Sequence, residues 1–196
     1  MVNLNARESG ITQLFKNFTI SSLGHNAGDQ FLEYYKIKPD ASDAETLAAV
    51  INYITDISFF APAVKLSQLW PGKYHVGLFN EKNPWDGIYK GRASHLLDTA
   101  YLWGNYNPKY TRENWAVGRA MAEDVISFIS ERDNLPVFDE KKKLVTLYGP
   151  SDKGRSSEVT NLDNEITDRD LRFFDLAKMV GGLDTLLDMM AAFLKV

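Results

Sequence analysis

Strand-forming segments are scarce in this sequence, and that scarcity limits what the chain can build. Residues 73–80 (KYHVGLFN) alternate polar and apolar positions as a half-buried strand does. Residues 144–148 make a second brief strand after the basic run Lys141-Lys142-Lys143. Residues 1–4 read as the end of a third, running into a loop at Asn5-Ala6-Arg7-Glu8-Ser9-Gly10. Two or three strands cannot complete a doubly wound sheet. Either the remaining strands lie outside this chain, or the protein is mostly helical.

Helical patterning is plentiful by contrast. Ser42-Asp43-Ala44-Glu45 has the Ser-x-x-Glu spacing of a capping box, and Leu47, Val50, Ile51 and Ile54 follow at helical intervals. A second helix is expected from Thr55-Asp56 through Trp70, with Pro62 in its first turns or bending it. Residues 113–131 form the clearest amphipathic helix, its apolar side assigned to Trp115, Val117, Met121, Val125, Ile126, Phe128 and Ile129. Residues 149–164 read as a polar surface loop. Two terminal helices, 167–180 and 183–194, are separated by Gly181-Gly182.

Composition excludes several function classes. The 196 residues are 44% hydrophobic and 12% aromatic, enough for one substantial core. With 22 Lys and Arg against 26 Asp and Glu and no basic stripe, nucleic acid is not an expected partner. There are no cysteines, so disulfides and thiolate chemistry are absent, which leans towards a cytoplasmic, reducing compartment. No signal-peptide pattern is read at the N-terminus, and no apolar run is read as a membrane span.

Three histidines are present, His25, His75 and His95, and none has a partner at metal-ligand spacing, so neither a metal nor another cofactor is expected. His25 lies in the glycine-containing stretch SSLGHNAGD and reads as a solvated turn residue. His75 belongs to the alternating strand. His95 follows a strand and the long loop 81–91 (EKNPWDGIYKG) and precedes an apolar helical turn. Loops at the carboxyl ends of strands are where α/β sheets carry catalytic groups.

The segment around His95 resembles a known family. Residues 91–106 (GRASHLLDTAYLWGNY) are similar to the part of type-B carboxylesterases, the cholinesterase and fungal lipase group, that bears the triad histidine. In that pattern a glycine precedes the histidine, an acidic residue follows three positions later, and an aromatic and apolar run ends in Gly-Asn. Residues 55–62, 115–128 and 147–150 (LYGP) resemble neighbouring family elements. Asn3-Leu4-Asn5-Ala6-Arg7-Glu8-Ser9-Gly10 resembles the segment that delivers the triad acid; the family has Glu followed by Gly, whereas Ser9 intervenes here.

The resemblance implies the C-terminal part of an α/β-hydrolase fold, a single partial domain over residues 1–196 with an incomplete sheet. It also implies a carboxylic-ester hydrolase in which Glu8 orients His95 and His95 is the general base. Asp98 reads as a brace for the turn after His95, with a second acid assignment left open.

The nucleophile elbow, Gly-x-Ser-x-Gly, is missing. Only Gly24/Gly28 and Gly87/Gly91 are spaced four apart, and their central residues are Asn26 and Tyr89. The chain alone is therefore expected to be inactive. Two readings remain. One is the C-terminal portion of an esterase acting on small-molecule or lipid esters and partnered by a missing N-terminal half. The other is a non-catalytic remnant or interaction module prone to self-association. Ser94 and Ser58 lack the strained elbow that would make either a nucleophile.

Overall fold

The computed structural model describes residues 10–87, 90–94, 96–105, 109–132, 134–139, 141–165 and 168–195, and it is helix-rich with one small sheet. In chain order the helices and strands are α1 (Ile11–Tyr34), α2 (Asp43–Thr55), α3 (Ala61–Leu69), β1 (Gly77–Phe79), α4 (Leu97–Leu102), α5 (Arg112–Ile129), β2 (Leu144–Tyr148), β3 (Ser157–Asn161), α6 (Asp168–Met179) and α7 (Leu183–Phe193). The chain divides into two compact units. One is drawn from 1–70 with 166–196, the other from 71–165. The strand expected at residues 1–4 lies outside the described residues.

The first unit is all helix. No helix is expected from sequence over residues 10–41, yet α1 fills most of that stretch, and Ile11, Leu14, Phe15 and Phe18 at its start stand at helical spacing. Its middle, Thr19-Ile20-Ser21-Ser22, is made of poor helix formers, so burial of Ile11, Phe15, Phe31 and Leu32 has to sustain it. Gly24, at φ 77 and ψ 167, divides α1 into two arms.

The start of α1 has no cap of its own. Asp43, at the beginning of α2, supplies one by accepting the Gly10 N–H at 2.6 Å and the Thr12 N–H at 2.9 Å. The Thr12 backbone bond, then the Thr12 hydroxyl and the Gly10 N–H, hold the Asp43 carboxyl below its usual range.

The expected capping box is present. Ser42 Oγ accepts the Glu45 N–H, and Glu45 Oε2 accepts the Ser42 N–H at 2.8 Å. From there α2 passes into α3 through a π-helical turn at Asp56–Phe60, so the two expected helices are continuous. Pro62 sits in the first turn of α3. It cannot donate to the carbonyl four residues earlier, and the wider turn before it absorbs that loss.

No apolar run is expected to be long enough for a membrane span, yet the resulting helical stretch Asp43–Leu69 is long and apolar enough to cross one by length and composition. A packed helix of a globular core meets the same conditions, and this one buries Val50, Tyr53, Ile57 and Ala61 within its unit.

Aromatic side chains dominate that core. Phe15 meets Phe193 edge-on at 4.9 Å, and Phe31 meets Tyr53 edge-on at 4.9 Å. Tyr53 donates its hydroxyl to the Leu186 carbonyl, so the phenol enters the core with its polar atom satisfied.

The second unit is mixed α/β. Strands are ordered β1-β2-β3, with β1 parallel to β2 and β3 antiparallel to it. Val145, Thr146, Leu147 and Tyr148 are all buried, as suits the central strand of a sheet covered on both faces.

Three expectations need correcting here. The strand over 73–80 shrinks to Gly77–Phe79, because Tyr74 pairs elsewhere: its carbonyl accepts the Phe138 N–H and its ring stacks on Phe138. The polar loop over 149–164 contains β3, whose sequence SEVTN shows no apolar alternation and which forms by pairing with β2.

The apolar side assigned to α5 is also wrong in part. Val117 is fully buried, but Trp115, Ile126, Phe128 and Ile129 are exposed. Residues two apart on a helix point about 200° apart, so Trp115 and Val117 cannot share a face. The buried stripe instead runs through Asn114, Val117 and Gly118. A Cβ on Gly118 would lie 2.7 Å from the Tyr101 carbonyl oxygen, which shows how closely α4 approaches α5.

Candidate functional site

Both residues singled out as catalytic, Glu8 and His95, lie outside the described residues. The structure does describe the frame on either side of position 95.

β1, α4, α5 and β2 form a parallel β-α-β unit, and residues 80–96 leave the carboxyl end of β1. The loop is pinned back on itself: the Asn83 N–H donates to the Arg92 carbonyl at 3.1 Å, and the Gly91 N–H donates to the Asn83 carbonyl at 2.9 Å. The Trp85 N–H donates to Asn83 Oδ1, and Lys90 pairs with Asp86. Beyond position 95 the chain turns sharply. Leu96 has φ 64 and ψ 1, and its side chain is 60% exposed. A left-handed leucine costs on the order of 1 kcal/mol relative to a relaxed backbone. The Leu97 N–H then donates to the Ser94 carbonyl and α4 begins.

At the root of the loop lies a group the sequence reading missed. Glu81, two residues past β1, is only 1% exposed. Its Oε2 accepts the Ser151 N–H at 2.7 Å, and its Oε1 accepts the Ser151 hydroxyl at 2.8 Å and Asn114 Nδ2 at 3.1 Å. Asn114 also donates to Ser151 Oγ at 3.0 Å, and its own oxygen accepts the Thr111 N–H at the start of α5. One carboxylate thus ties together the ends of β1 and β2 and the first turn of α5. Gly149 makes room for it: a Cβ there would lie 2.6 Å from Glu81 Oε2, and φ is 77.

Tyrosines surround this knot. The Tyr101 and Tyr110 rings pack 4.4 Å apart, and Phe79, Trp85 and Trp115 adjoin them. The hydroxyls of Tyr101 and Tyr110 are buried without a protein hydrogen bond. Burial, and then the nearby Glu81 charge, raises the Tyr101 phenol well above its ordinary value. Burial alone pushes Tyr110 up to about 12. Both phenols are therefore neutral donors at physiological pH.

Among the other residues considered from sequence, Asp98 lies in the first turn of α4, where an acidic side chain suits the helix dipole. His75 donates Nδ1–H to the Pro136 carbonyl at 2.8 Å and packs on Phe128. His25 is exposed just beyond the Gly24 break. Ser58 donates to Met190 Sδ, while Trp103 is 71% exposed. Among the described residues no three His, Asp or Glu side chains converge on a point that could hold a metal ion.

No family model, curated protein or solved structure matches this chain.

Proposed function

We propose that this chain is the C-terminal portion of a carboxylic-ester hydrolase, supplying Glu8 and His95 to a Ser-Glu-His triad whose serine lies in sequence outside it. The observation that carries the reading is the loop at the carboxyl end of β1, in a parallel β-α-β unit, which leads to position 95 and is followed at once by the strained Leu96. Open α/β sheets place ligands at that end of their strands, and backbone strain gathers where a side chain must be presented.

In the proposed reaction the His95 imidazole removes the proton from the serine hydroxyl as its oxygen attacks the ester carbonyl. It then returns the proton to the departing alkoxide, leaving an acyl-serine and a free alcohol. Water repeats the sequence: His95 takes its proton, the acyl–oxygen bond to serine breaks, and the carboxylic acid leaves. Glu8 orients the ring and stabilises its protonated form throughout.

A second reading, a non-catalytic interaction module, draws on the exposed Ile126, Phe128 and Ile129 at the end of α5. Fluorophosphonate labelling separates the two. The isolated chain is expected to take no label, and a polypeptide extended through the upstream reading frame is expected to take one, at a Gly-x-Ser-x-Gly serine. An upstream region without such a frame, or an extended protein that stays unlabelled, overturns the esterase reading.

A further inference from the structure

We propose that Glu81 is a positioning residue whose buried carboxylate, held by Ser151 and Asn114, fixes the root of the loop that leads to position 95. The inference rests on the esterase reading for what His95 does, but its geometry is independent of that reading.

A buried carboxylate is a costly way to tie three elements together. Removing it from water is unfavourable unless its oxygens are well supplied with donors, and an apolar contact would join a strand end to a helix with less penalty. Here three uncharged donors reach it, from Ser151 N–H, Ser151 O–H and Asn114 Nδ2, at 2.7 to 3.1 Å.

The geometry demands an acceptor at both oxygens. An amide would turn an N–H group towards one set of these donors and lose at least one bond. A shorter aspartate would draw back from them by one methylene. Gly149 leaves space for the carboxylate that any Cβ at position 149 would take. The arrangement is thus specific to glutamate.

The clamp also acts at one particular place. Glu81 is the second residue of the loop, and Asn80 just before it donates to the Tyr148 carbonyl at 2.9 Å. Lys82 just after it pairs with Asp152, next to Ser151. Asn83 then makes the two backbone bonds that hold Gly91 and Arg92. A continuous run of contacts therefore leads from the clamp, through Asn83, to the strand of loop that ends at position 95. The far side of the loop is seated separately, by Leu97 and Tyr101 in the core of the unit. Without Glu81 the loop would keep its far anchor, while its near end would rest on the Asn80 backbone bond and the exposed Lys82–Asp152 pair alone.

The test uses the 196-residue chain itself and needs no turnover. In Glu81→Gln, hydrogen exchange at the Asn83 and Gly91 amides should quicken by about tenfold or more, while the Val145 and Leu147 amides of β2 stay within about twofold. The chain has three histidines, so the His95 ring signal can be assigned with His25→Gln and His75→Gln. It should shift and broaden in Glu81→Gln while the other two ring signals stay put. Unchanged Asn83, Gly91 and His95 signals would overturn the proposal. So would equal acceleration across β2, which would mark Glu81 as a general support of the unit.

Should Glu81→Gln not fold, Ser151 decides. Ser151→Ala removes one donor and should loosen the same two amides and the same ring; Ser151→Thr keeps the hydroxyl and should restore them. Failure of either half counts against the clamp. Fluorophosphonate labelling tests the esterase reading alone, so the two claims can fail separately.

Discussion

The two units bury their interiors by different means. The first packs rings from chain segments far apart in sequence, Phe15 against Phe31, Tyr53 and Phe193 and Phe60 against Phe173, and its buried phenols donate to the Leu186 carbonyl from Tyr53 and to the Asp56 carboxylate from Tyr35. The second has a smaller apolar cluster, Leu97, Tyr101, Val117 and Tyr148, and adds the Glu81–Asn114–Ser151 knot beside it. Apolar packing is forgiving about exact geometry, whereas a buried polar knot admits few arrangements. Under the proposed function the second unit has to present a loop at a fixed place, and the second strategy suits that. The first unit, helix upon helix, also buries a carboxylate, Asp56, which accepts the Tyr35 hydroxyl at 3.0 Å inside its aromatic core.

The contrast predicts different weaknesses. The largest effect is expected in the first unit: Phe15→Ala empties a fully buried site touching three other rings and should cost about 3–5 kcal/mol. Exchange at the Val50 amide should report that loss. Trp85, Trp103 and Trp115 lie in the second unit, so their fluorescence should hold until the protein unfolds as a whole.

Next comes Asn114→Ala, which strips Glu81 of one donor and α5 of its capping acceptor. A cost of about 2–3 kcal/mol is expected in urea titrations followed by tryptophan emission. A loss below about 0.5 kcal/mol would mean that the knot is slack and the comparison misplaced.

Alkali should also separate the units. The unfolded tyrosine titrates near 10, and burial raises Tyr101, Tyr110 and Tyr148 above that in the second unit, against Tyr53 in the first. A raised folded value means that the folded state keeps its proton while the unfolded state has lost it. Stability is then intact below pH ~10 and falls as pH climbs towards the folded value. Melting between pH 9 and pH 11.5, as conditions of the experiment, should show the β2 amides losing protection more steeply than Val50.

The smallest effect has the opposite sign. Leu96→Gly relaxes a left-handed backbone and should stabilise the second unit by up to about 1 kcal/mol, while freeing the loop next to position 95. A destabilised Leu96→Gly protein would show that the exposed leucine is held by contacts rather than strained.

The same contrast explains what could be read from sequence. The Ser42–Glu45 capping box and the burial of Val117 follow from local patterns, and both are present. Helix α1 was legible only in its first arm, where Ile11, Leu14, Phe15 and Phe18 stand at helical spacing, because Thr19 to Ser22 and Gly24 interrupt the signal beyond it. β3 was hidden because SEVTN is polar and its order comes from β2. Glu81 looked like any loop carboxylate, since its donors stand 33 and 70 positions further along the chain. The loop after β1 and the helical turn that begins at Leu97 were legible as a loop and a turn. The carboxylate at the root of that loop was not.

The most direct test of the central claim is the kcat for p-nitrophenyl butyrate of the serine-bearing, upstream-extended polypeptide and of its His95→Ala variant, with folding of both checked by circular dichroism. The account predicts a fall of roughly 10⁴-fold or more in the variant. Turnover within about twofold of the parent would contradict it, because a triad cannot lose its general base and keep its rate.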